Sequence, residues 1–202
     1  MLGLAVNVAL RAGMVAMLAE VFRAGPDDLR FAGKGIGPRF GAFGMPATML
    51  LPGVWLWRRR RSGDASEAYP VWIDNLFLSM LALDLAGNVF DLYDRYEHFD
   101  LIPHAHGTGV VTVVAARLFR LPMTHALGVA TVGHILLEAQ EYASDRVFGL
   151  RNVRGAWDSI GDLSSGAVGS LVYAAAYRRF VRDADREPSA GREQTAPSLG
   201  AT

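Results

Sequence analysis

Apolar positions along the chain come in long runs, not at amphipathic spacing, and six of these runs approach the length of a membrane-crossing helix. They are Leu2 to Phe22, Phe40 to Trp57, Val71 to about Leu92, Leu101 to about Phe119, Met123 to Ala143, and Ile160 to Phe180. The pattern predicts an all-α fold, a polytopic transmembrane bundle of about six helices occupying residues 1–181. The second run carries no charge but contains Pro46 and Pro52, so a kink is expected there. The first run lacks a basic leader and is broken by Arg11, which makes it a first span and not a signal peptide. Residues 182–202, rich in Pro, Ser, Gly and charge, read as a disordered cytoplasmic tail. A soluble helical bundle with polar active-site helices would share much of this pattern; interfacial tryptophans at positions 55, 57, 72 and 157 favour the bilayer.

Basic residues set the orientation. Arg58 to Arg61, Arg117 and Arg120, and Arg178, Arg179 and Arg182 fall on one side of a six-span topology, which becomes the cytoplasmic side. Both termini are then cytoplasmic. Charge is otherwise balanced, with 20 basic and 20 acidic residues, so nothing points to a nucleic acid partner. Glycine is abundant at 22 residues, as suits closely packed membrane helices, and mean hydropathy is a modest +0.19. With no cysteine, disulfides and thiolate metal sites are excluded.

The acids and histidines stand where a bilayer tolerates them only with a partner, a cavity or a metal. His134, Glu138, Glu141 and Asp145 are spaced four, three and four, an arc of about 60° on one helix face. Leu127 and Ala130 continue that stripe with apolar residues. Asp84, Asn88, Asp91 and Arg95 repeat the spacing in the third run, and Asp158, Asp162 and Ser165 in the sixth. Between them, residues 93–107 supply Asp94, His98, Asp100, His104 and His106. Carboxylates and imidazoles without thiolates suit a divalent ion such as Zn, Mn, Fe or Mg.

The reading that follows is an extracytoplasmic site in which Asp94, His98, Glu138, Glu141, Asp158 and Asp162 hold one or two metal ions. His104 and Asp145 are its candidate catalytic, proton-transferring groups. Metal-dependent hydrolysis of a lipid or envelope precursor is the matching function. A proton- or ion-coupled small-molecule transporter would use the same residues. So would a non-catalytic scaffold, if Arg95, Arg146, Arg151 and Arg154 simply neutralise the acids as buried ion pairs. Whether the chain is an enzyme stays open between these. His125 reads as an interfacial or packed histidine. Gly161, Ser165 and Gly169 form a small-residue ridge for helix packing. The glycine-rich stretch at residues 33–37 lacks the Gly-Lys-Ser/Thr ending of a phosphate loop.

Three stretches, YDRYEHF, LLEAQEYASD and AWDSIGDLSSGAVGSLV, resemble the YjdF-like group of bacterial inner-membrane proteins. The matching positions are Asp94, Arg95, His98 and Phe99; Glu138 and Glu141; and Trp157, Asp158, Asp162, Leu163 and Gly169, within a region running from Asp91 to Val172. Ser159 stands where the group has Thr, which keeps the hydroxyl. Val153-Arg154-Gly155 replaces its Gln-Gly-Asp, so no carboxylate role in that loop carries over. The resemblance implies a multi-pass protein of the bacterial inner membrane whose acids act together, and it implies no particular substrate.

Overall fold

Each of the six apolar runs forms a helix. In the computed structural model, which describes residues 1–63 and 68–186, the elements are α1 (Leu2–Ala24), α2 (Ile36–Ser62), α3 (Val71–Val89), a short α4 (Leu92–Arg95), α5 (Leu101–Leu118), α6 (Met123–Phe148) and α7 (Ala156–Arg186). There is no strand among the described residues. α6 continues five residues past the expected Ala143, to a stop at Gly149 in the left-handed region (φ 66°) that spares a side chain its usual clash. α7 passes the expected Phe180 and runs to Arg186; of the tail expected over 182–202, residues 187–202 lie outside the described residues.

α2 is the irregular helix. A π-turn occupies Phe40–Gly44, and α-helical geometry resumes at Met45 and again at Leu50. Both prolines fall in the first turn after an irregularity, where a missing N–H removes no ladder bond. The break in regular geometry thus extends over ten residues, 40–49.

Contacts fix the directions. Gly3 meets Val71 at one end of α1, and Arg30, just beyond the other end, donates to the carbonyl of Val89, so α1 and α3 run side by side. Arg58 at the end of α2 donates to the carbonyl of Leu118 at the end of α5, which aligns those two. α7 runs along α5: the Ser170 and Thr112 hydroxyls are hydrogen-bonded, and Tyr173 reaches His106. A Cβ on Gly169 would stand 1.9 Å from the Ala105 carbonyl oxygen, so glycine is what lets the two backbones touch. α6 returns antiparallel to α5, with His134 against His104. The N-termini of α5 and α7 and the C-terminal half of α6 thus meet at one end of the bundle.

Apolar packing is concentrated in two clusters. One joins α1, α2 and α3 through Met14, Ile36, Phe40 and Leu85; the other joins α2, α3 and α5 through Leu51, Ile73, Val110 and Val113. Elsewhere the usual arrangement is inverted. Between residues 131 and 140 of α6 only His134 and Glu138 are buried, while Val132 and Leu136 are 57% and 63% exposed. On α7, Asp162 and Ser170 are buried and Val168, Leu171 and Val172 face outward. α1 and α2 are long and apolar enough to cross a membrane.

Candidate metal centre

His104 lies in the first turn of α5, and His134 and Glu138 lie one turn apart on α6. Helical spacing of four brings the last two onto one face. His104 Nδ1 is 2.8 Å from His134 Nε2, and Glu138 Oε1 is 3.6 Å from each of these nitrogens. The imidazoles stack with centroids 5.0 Å apart. Their donor atoms are close enough to hold one metal ion. Glu138 Oε1 is buried and has no hydrogen-bond partner, an arrangement that is costly unless a cation completes it.

The tautomer of His134 follows from its neighbour. Thr108, one turn beyond His104, donates its hydroxyl to the His104 carbonyl at 2.8 Å. Its oxygen is then left to accept from His134 Nδ1 at 3.2 Å, which places the proton on Nδ1 and the lone pair on Nε2, facing the group. This is how metal-bound imidazoles are usually held, with the second nitrogen donating to a fixed acceptor. Gly166 of α7 makes the room: a Cβ there would lie 2.2 Å from His134 Nδ1 and 2.8 Å from Thr108 Oγ1. Two imidazoles and one carboxylate match the donor set of catalytic zinc sites, which keep a fourth position for water.

A second group adjoins the first. Asp100, which caps α5 by accepting from the Leu101 N–H, and Asp158 and Asp162 at the start of α7 bring carboxylate oxygens within 4.8 Å of one another. Asp162 Oδ2 is 3.8 Å from His104 Nε2, so His104 stands between the two groups. The Arg154 guanidinium lies 3.4 Å from Asp100, and the Arg154 backbone N–H donates to Asp158 at 2.9 Å.

Of the residues expected from the sequence to bind metal, Glu138, Asp158 and Asp162 enter these groups, as does His104, which was expected as a proton carrier. Asp94, His98, Glu141 and Asp145 enter neither. Asp94 pairs with Lys34 at 2.5 Å on the exposed side of α4, and His98 is exposed between α4 and α5. Glu141 faces Arg39 (3.7 Å), which also holds Asp84 (3.2 Å). Asp145 accepts from the backbone N–H groups of Asn152 and Val153 and so pins the loop into α7. The α6 stripe does face inward, but it meets histidine, arginine and loop backbone in succession, and only its inner half meets imidazole.

His134 heads the α6 stripe and Asp100 lies in the stretch of residues 93–107, but neither is in the metal set expected from the sequence. The repeated spacing of four, His104 to Thr108 and His134 to Glu138, was the available signal. Arg39 and Gly166 gave none, because both act across helices far apart in sequence. Among the arginines considered as neutralisers, Arg154 does pair with Asp100, whereas Arg95 faces Asp91 and Arg146 bonds the Tyr142 hydroxyl.

Fold and site together define an all-helical chain with two helices apolar enough to span a membrane and two groups of side chains within reach of a metal ion. No protein-family model, curated protein or solved structure matches the chain.

Proposed function

We propose that this chain is a multi-pass protein of the bacterial inner membrane, with about six spans, whose His104–His134–Glu138 centre binds a divalent metal and hydrolyses a lipid or envelope precursor. The observation that carries the reading is the buried, unpartnered Glu138 oxygen set against two converging ring nitrogens. The polar inside and apolar outside of α6 and α7 support the bilayer, where no water offsets an unpaired carboxylate. The group lies at the ends opposite the arginines of residues 58–61, hence on the extracytoplasmic side. A bound ion of the zinc kind would lower the pKa of its water to about 7 and supply hydroxide at neutral pH. Thr108 and Gly166 orient His134. Membership of the YjdF-like group is part of this proposal and rests on the three matching stretches.

The test is elemental mass spectrometry on detergent-purified chain. Wild type is expected to hold about one zinc-class ion at this centre, and His134→Ala and Glu138→Ala to lose it with helical content intact, since two remaining ligands bind such ions weakly. Metal at background in wild type ends the proposal. A finer expectation concerns Thr108. Thr108→Val is expected to weaken zinc affinity by about 10–100-fold, as loss of an outer partner does, while Thr108→Ser keeps it. Competition with a zinc chelator measures both; equal affinities for Val and wild type would remove Thr108 from the site.

The second reading is an ion-coupled transporter. Polar groups continue beyond the centre: Tyr173 meets His106 at 2.6 Å, and His106 meets Ser79 at 2.9 Å. Asn7 and Arg11 hold Asp74 toward the far end. Flux in proteoliposomes that is abolished in Glu138→Gln favours this reading over hydrolysis.

A further inference from the structure

We infer that Asp100, Asp158 and Asp162 form a second, oxygen-only site that takes a hard divalent cation of the Mg2+, Mn2+ or Ca2+ kind. Two members of the trio have structural work. Asp100 caps α5 and faces Arg154, and Asp158 accepts the Arg154 N–H. Asp162 has none. It is only 5% exposed, its Oδ1 is shielded without a hydrogen-bond partner, and its Oδ2 comes no nearer to His104 than 3.8 Å. Capping and pairing therefore explain the first two acids and leave the third, the most deeply buried, without a reason to be there.

Charge points the same way. Three carboxylates against the single guanidinium of Arg154 leave two negative charges, which one divalent ion offsets. The donor set is all oxygen, the preference of hard cations, and differs from the imidazole-rich centre beside it. The spacing also fits. Oxygens on opposite sides of such an ion stand roughly 4–5 Å apart at the usual bond lengths, and the trio's oxygens lie within 4.8 Å of one another. The inference stands apart from the zinc-class reading, because no ligand is shared.

The test uses full-length, detergent-purified chain stripped of metal and titrated with Mn2+, with unbound Mn2+ read by electron paramagnetic resonance in the presence of one equivalent of Zn2+. Wild type should take up about one Mn2+ beyond the zinc. Asp158→Asn and Asp162→Asn should each weaken Mn2+ binding by more than about 10-fold, the low end for loss of a group supporting a metal, and leave zinc uptake unchanged. His134→Ala should do the reverse. Far-UV circular dichroism confirms folding, and Asp158→Asn, on the rim of the bundle, serves if Asp162→Asn does not fold. No Mn2+ uptake by wild type, or full uptake by both Asn variants, overturns the second site. Mn2+ uptake without zinc uptake would end the first reading and uphold this one.

Discussion

Gly169→Ala is expected to be the most damaging single methyl in the protein. The added carbon would fall 1.9 Å from the Ala105 carbonyl oxygen, and both atoms belong to helices, so neither can swing aside. Gly109 makes the same approach from the other side, its missing Cβ 3.0 Å from the Gly169 carbonyl and 2.5 Å from the Tyr173 ring. In a bilayer, close backbone approach is a main source of attraction between helices, because lipid competes with apolar side chains. Forcing α5 and α7 apart costs the upper end of the usual overpacking penalty, about 3 kcal/mol. For a chain of this size that is a fall of roughly 10 °C in the unfolding midpoint. Gly128→Ala and Gly133→Ala are the controls: nothing lies within 4 Å of either position, and alanine should raise helix stability slightly. Thermal unfolding in detergent reads all three. If Gly169→Ala unfolds within 2 °C or so of wild type, the α5–α7 contact is not what joins these helices.

Arg11→Met is expected to cost nearly as much, by a different route. Asp74 is fully buried, and its Oδ2 accepts from Arg11 and from Asn7, each at 2.7 Å. Arg11 also donates to the Thr48 carbonyl, so one guanidinium ties α1 to α2 and α3. Removing it leaves a buried carboxylate with a single amide partner. Breaking such a pair from one side costs about 3–5 kcal/mol, and the lower figure applies because the Arg11 side chain is 22% exposed. Replacing both residues, as Arg11→Met with Asp74→Leu, is expected to recover most of the loss, since a matched apolar pair leaves no orphaned charge. A double variant no more stable than Arg11→Met would contradict this account of the pair.

Much of the fold was open to reading from hydrophobic run length alone, because a helix that buries little of its surface needs little tertiary information. Helix ends were less legible. The last turns of α6 depend on the Gly149 stop and on Asp145 holding residues 152 and 153, which is loop geometry, not periodicity. The site was legible in one dimension. Spacing correctly put His134, Glu138, Glu141 and Asp145 on one inward face, yet could not show which neighbour each would meet. That was decided by Arg39, about a hundred residues earlier in the chain, which takes Glu141, and by Gly166, which lets His134 lie against α7. Asp94, on α4, and His98, just beyond it, share the acid and histidine stretch of residues 93–107 but stay at the surface.

The sparse inward face of α6 bears on how the bundle is assembled. Ala126 and Ala130 give it a small apolar footing near its start, and from residue 131 to 140 it offers its neighbours only an imidazole and a carboxylate. The other side chains in that stretch, most of them apolar, are exposed. Under the proposed membrane reading, α6 gains its main reason to dock from the meeting of His134 and Glu138 with His104. If the proposed centre holds its ion, docking of this helix is the step that ties metal binding to assembly of the bundle.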